Sequence, residues 1–89
     1  MPLEVKKAVQ LAKEYLSDIM TVPAPEVLLE EVELSSDGRF WLITLSYPAP
    51  APMPIQLLTG RGYREYRVVK LLAETGEFES IKIRSLASA

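Results

Sequence analysis

Eighty-nine residues with 48% hydrophobic and 25% charged side chains describe one ordinary globular domain spanning residues 1–89, which excludes disorder, collagen-like repeats and a coiled coil. With no His and no Cys, the chain lacks the usual proton shuttle near neutral pH, soft metal ligands, a thiol nucleophile and any disulfide. A formal net charge of -2 gives no general attraction to nucleic acid or anionic lipid.

In the first segment Val5, Val9, Ala12, Leu16 and Ile19 recur at helical spacing, and Ala8, Leu11 and Tyr15 widen the stripe, so an amphipathic helix is predicted over residues 3–20. Pro2 and Glu4 suit its first turn, and Pro23 ends it by pushing Val22 out of helical geometry. Charges at Glu4, Lys6, Lys7, Lys13, Glu14 and Asp18 do not fit a secretory signal, and no segment is long and apolar enough to span a bilayer. A soluble, cytoplasmic protein is expected.

After Pro23-Ala24-Pro25 the apolar period changes to two. A two-residue type I′ turn at Asp37-Gly38 would set Leu34 opposite Trp41, Val32 opposite Ile43 and Leu28 opposite Tyr47 on the face that meets the helix. Glu30 opposite Leu45 is the one polar exception on that face. The reverse face then holds Ser35 with Phe40, Glu33 with Leu42, Glu31 with Thr44 and Leu29 with Ser46. Residues 48–54 lack alternate amides and are expected to leave the sheet in extended polyproline geometry, with a short return segment at 55–58 and a loop at 59–62.

Residues 63–73 and 78–84 read as a second strand pair, and 85–89 as a frayed tail. A two-residue turn at Thr75-Gly76 would set Lys70 against Ile81. A four-residue turn from Ala73 to Gly76 sets Val68 against Ile81, Tyr66 against Ile83 and Lys70 against Glu79, and is preferred because it pairs opposite charges. Val69, Leu71 and Phe78 then turn away from the helix. The fold expected is α+β: one N-terminal helix packed on a four-stranded antiparallel meander sheet, in two layers.

Tyr66-Arg67-Val68 followed by Leu71-Leu72-Ala73-Glu74-Thr75-Gly76-Glu77-Phe78 resembles the Tyr-x-Val then Val-Asp-Ala-x-Thr-Gly-x-Val stretch of PepSY domains, with Leu72 where that family usually carries Asp. The resemblance covers this one hairpin and implies a non-catalytic module that binds or restrains another protein. The order of elements is similar to that of cystatin-like folds, which implies an inhibitory or propeptide-like role.

Five apolar residues on the face away from the helix, Phe40, Leu42, Val69, Leu71 and Phe78, form the expected partner interface, because exposing such a patch in a lone protomer is a liability. Pro48, Pro50, Pro52, Met53 and Pro54 form either a docking loop or a stiff spacer. Arg61, Tyr63, Arg64, Tyr66, Arg67 and Lys70 interleave cations with aromatics, but alternation along a strand divides them between two faces, which disfavours nucleic-acid binding. Glu26, Glu30, Glu31 and Glu33 read as a solvated edge strand and not a metal or acid/base site. Thr59-Gly60-Arg61-Gly62 lacks what a phosphate loop needs. The function expected is therefore a small binding module, neither an enzyme nor a cofactor carrier, acting by self-association or on one protein partner. The alternatives are an inhibitory module and a weak nucleic-acid binder.

Overall fold

The computed structural model describes residues 3–49 and 63–84. Helix α1 (Val5–Met20) leads through a 3₁₀ turn (Ala24–Glu26) into strands β1 (Leu28–Leu34), β2 (Phe40–Ala49), β3 (Tyr63–Leu72) and β4 (Phe78–Arg84). The strands form one antiparallel sheet in the order β1-β2-β3-β4 with α1 on one face, the two-layer α+β meander expected from the sequence.

The helix buries Ala8, Ala12 and Leu16, one residue in four, so two methyl groups let its backbone approach the sheet while Leu16 fills the space beyond them. The apolar stripe is rotated from the one predicted, leaving Val5 and Ile19 exposed at its margins. Glu4 stands outside the helix as its N-cap. At the other end Thr21 adopts the left-handed conformation (φ 52°), the Val22 amide donates to the Ser17 carbonyl (3.2 Å), and Pro23 follows. Ahead of the helix, Leu3 is clipped between strands: its amide donates to the Ala73 carbonyl (2.6 Å) and its carbonyl accepts the Trp41 indole N–H (3.1 Å).

In the first hairpin Leu34 faces Trp41 and Val32 faces Ile43, as the alternation predicts. The turn differs from type I′, because Gly38 alone takes a positive φ (74°). The Asp37 carboxylate instead closes a four-residue loop by accepting the Ser35 hydroxyl (2.6 Å) and the Arg39 amide (3.0 Å). Farther along, a bulge between Leu29 and Glu31 brings Leu29 opposite Leu45 and Leu28 opposite Ser46, which corrects the pairings Leu28–Tyr47, Glu30–Leu45 and Leu29–Ser46. The cause is the polar exception itself. An unbroken ladder would aim a carboxylate at fully buried Leu45, whereas the extra residue sends Glu30 to the outer face, where it accepts the Ser46 hydroxyl (2.6 Å), and turns Leu29 inward.

The second hairpin turns over Ala73–Gly76 as preferred, with the Leu72 amide donating to the Glu77 carbonyl (2.9 Å) and Leu71 facing Phe78. A second bulge follows at once. Lys70 pairs with Ser80, Val69 with Ile81, Val68 with Lys82, Arg67 with Ile83 and Tyr66 with Arg84, which overturns the expected pairs Lys70–Glu79, Val68–Ile81 and Tyr66–Ile83. Strand β2 dictates this outcome: Trp41 and Ile43 face the helix, and their partners on β3 are Leu71 and Val69. Val69 and Leu71 are fully buried in the core with Ile43, Leu45, Tyr47 and Val27, and the Phe78 ring lies 5.2 Å from that of Tyr15 on the helix.

Strand β2 also continues through Pro48 and Ala49, paired with Arg64 and Tyr63, where extended non-sheet geometry was expected from residue 48 onward. The proline is tolerated because β1 has already ended opposite Ser46, so β2 has one neighbour there instead of two. Pro50, Pro52, Met53 and Pro54, the return segment at 55–58 and the tail at 85–89 lie outside the described residues.

Candidate docking site

The outer face of the sheet carries a different apolar set from the one the sequence suggests, with Val68 and Leu72 beside Phe40 and Leu42. Of the five residues expected there, Phe40 and Leu42 are present and half-buried, while Val69, Leu71 and Phe78 belong to the helix side. The Phe40 ring lies between the Lys70 ammonium (4.2 Å) and the Arg39 guanidinium (5.4 Å). Two arginines cross the middle of the face. Arg64 donates through Nε to the Ser46 hydroxyl (2.9 Å) and through a terminal nitrogen to the Ser46 and Glu26 carbonyls (both 3.0 Å). Arg84, on edge strand β4, donates to Thr44 (2.8 Å) and reaches the Glu31 carboxylate on the opposite edge strand (2.6 Å). Beneath them Thr44 and Ser46 are buried, and both hydroxyls are bonded.

These contacts also place the part of the cationic run that lies within the described residues; Arg61 lies outside them. Arg64, Tyr66 and Lys70 share the outer face with Lys82 and Arg84, while Arg67 turns to the helix side, 5.9 Å over the Tyr47 ring and 3.9 Å from Glu65. Tyr47 donates its own hydroxyl to Glu65 (3.1 Å), and burial raises its phenol above the ordinary value of 10.0, against the lowering effect of Arg67. Among the described residues no group of three or more Asp or Glu side chains could hold a metal ion.

The feature that sequence reasoning missed lies at the β1 edge. The helix packs on β2, β3 and β4, so the inner face of β1 extends beyond its cover. Between them runs an apolar groove of about 340 Å³, walled by Val5, Lys6 and Val9 from α1 and by Leu29 and Val32 from β1. Lys6 contributes its aliphatic stem. Leu29 remains 42% exposed, and Leu34 continues its row toward the turn. Among the described residues the backbone edge of β1 beside this groove has no neighbouring strand. On the other face of the same strand stand Glu31 and Glu33, the latter without an ion-pair partner among the described residues. The one sequence signal was the Glu30–Leu45 conflict, because relieving it with a bulge is what delivers Leu29 to the groove.

No family model, curated protein or solved structure matches the chain. No helix among the described residues is long and apolar enough to cross a membrane.

Proposed function

We propose that the chain is a non-catalytic binding module that takes an extended segment of a protein partner onto the free edge of β1. The observation that carries this reading is the 340 Å³ apolar groove running beside a strand edge that is unpaired among the described residues. Strand addition supplies affinity through main-chain hydrogen bonds and specificity through alternate side chains, and both halves of that mechanism have a counterpart here. The regular stretch Glu31–Leu34 offers the main chain. Inward-pointing residues of the guest enter the groove lined by Val5, Val9, Leu29 and Val32, while outward-pointing ones meet Glu31 and Glu33. The guest is therefore a strand that alternates apolar and cationic residues.

A partner seated on the outer face would meet Phe40, Leu42, Val68 and Leu72 interleaved with cations already bonded within the chain, and that face has no groove beside an open strand edge among the described residues. The resemblance of the second hairpin to PepSY domains, and of the element order to cystatin-like folds, is in keeping with a protein that holds another. The test is a short labelled peptide alternating isoleucine and lysine, titrated against the chain, with an isoleucine–glutamate peptide as control. Saturable binding of the cationic peptide, weakened about tenfold or more by Leu29→Glu, is expected, as for the loss of one central apolar anchor. Equal binding of both peptides, or indifference to Leu29→Glu in a variant with an unchanged circular-dichroism spectrum, would sink the reading.

A further inference from the structure

Resting on that reading, we infer that the guest strand is β4 of a second copy of this chain, so that protomers join head to tail into one continuous sheet. Strand β4 has the chemistry the groove selects. Its segment Ile81-Lys82-Ile83-Arg84 alternates apolar and cationic residues. Ile81 and Ile83 lie on the helix side, opposite Val69 and Arg67, and Lys82 and Arg84 lie on the outer side, opposite Val68 and Tyr66. Ile83 is 77% exposed, more than any other large apolar side chain among the described residues. Among the described residues no helix shields it and no strand lies beyond it, because β4 is the other edge of the sheet.

Charge decides which edges meet. Pairing β1 with β1 of a second copy would bring Glu31 and Glu33 against the same two glutamates, and pairing β4 with β4 would bring Lys82 and Arg84 against themselves. Like charges directly opposite destabilise a sheet, so both symmetric arrangements are disfavoured. Only β1 against β4 sets carboxylates opposite cations. In that contact Ile81 and Ile83 extend the row formed by Leu29, Val32 and Leu34, and both outer faces carry the charges. Strands alternate in direction across the meander, so β4 of the neighbour arrives antiparallel to β1 and keeps both helices on one side. Arg84 is already held by Glu31 of its own chain, which leaves Lys82 and Glu33 as the pair formed between copies.

A contact of this kind leaves one edge free at each end and does not stop at two copies unless a ring closes. Sedimentation equilibrium of the full chain should give a mass that rises with concentration past that of a dimer and falls back in high salt. Glu33→Lys alone and Lys82→Glu alone should each weaken assembly about tenfold by replacing an attractive cross-strand pair with a repulsive one. Mixing the two variants restores it, since every interface in an alternating array then pairs opposite charges. A chain that stays monomeric at high micromolar concentration, a dimer that grows no further, or a mixture that fails to recover would each overturn the inference. A labelled peptide of residues 78–84 separates this failure from the failure of the binding reading. If that peptide binds the chain and Leu29→Glu abolishes its binding while the chain itself remains a monomer, the groove takes a partner other than a second copy; if the peptide ignores Leu29→Glu, the groove itself was misread.

Discussion

In the β1–β2 hairpin four residue pairs separate the loop from the bulge at Glu30, whereas in β3–β4 a single pair, Leu71 with Phe78, precedes the bulge at Glu79. Both bulges serve one end, which is to keep polar side chains off the helix side. Without the first, Glu30 would point at Leu45; without the second, Ser80 and Lys82 would point inward and Ile81 outward. Both also sit on edge strands, where an unpaired residue interrupts one ladder instead of two. The difference is in what each displaces. A bulge far from its turn moves only the distal end of a strand, while one beside the turn reverses the facing of nearly the whole strand.

The sharpest way to break this account is to put a charge on each side of the sheet. Leu71 is fully buried on the helix side, so Leu71→Asp should abolish cooperative folding by stranding a carboxylate in the core. Leu42 is half-buried on the outer face and lies next to Lys70, so Leu42→Asp should cost about 1 kcal/mol or less. Urea unfolding followed by far-ultraviolet circular dichroism measures both. A folded Leu71→Asp with an unfolded Leu42→Asp would mean that the faces are reversed.

The two turns give the next largest contrast. Gly38 and Gly76 both take positive φ, at 74° and 81°, which costs an L residue roughly 1 kcal/mol. A side chain at Gly38 meets open space, whereas a Cβ at Gly76 would fall 2.6 Å from a Leu11 methyl and 2.9 Å from a Leu3 methyl. Gly38→Ala should therefore lose about 1 kcal/mol, and Gly76→Ala about 2 to 3 kcal/mol once overpacking beneath the helix is added. Equal losses would mean that the Ala73–Gly76 loop is not packed against the start of the helix.

What was legible in the sequence follows the same division. Helical spacing and period-two alternation located the helix and the four strands of the described residues, because each is a local pattern repeated over several residues, whereas the three-residue 3₁₀ turn at Ala24–Glu26 carries no such repeat. The positions of Phe40 and Leu42 were legible because only well-paired residues separate them from Asp37-Gly38. The facing of Val69, Leu71 and Phe78 was not. It depends on the pairing of β3 with β2, residues far apart along the chain, and the strand-by-strand reading assumed one residue per pair past Glu79. Nor was the groove legible, since it arises from where α1 comes to rest across the sheet, over β2 to β4 and short of β1.

Removing the extra residue tests the bulges directly and should change stability least among the backbone alterations. With Glu79 deleted, Phe78 still faces Leu71 and Ile81 still faces Val69, so the loss should stay within about 1 kcal/mol. Deleting Glu30 should behave alike, with the additional loss of its bond to Ser46. If Glu79 were instead an ordinary paired residue, its deletion would reverse the facing of every residue beyond it on β4 and change stability by far more than this.

The smallest effect separates the two loops by pH. The Ser35 hydroxyl, and after it the Arg39 amide, hold the Asp37 carboxyl below its ordinary value of 3.8. A depressed value in the folded chain means that the carboxylate contributes stability that is complete above 3.8 and is lost as pH falls through the lower, folded value. In the second loop the corresponding acceptor is the neutral Thr75 hydroxyl, which takes the Glu77 amide (3.1 Å) and does not titrate. The stability difference between wild type and Asp37→Asn should therefore shrink on acidification below about pH 4, while the difference between wild type and Thr75→Ala stays flat. Equilibrium unfolding across that window, with each variant paired to wild type so that the other carboxylates cancel, checks both. A flat Asp37→Asn difference would mean that the carboxylate does not hold the first loop closed.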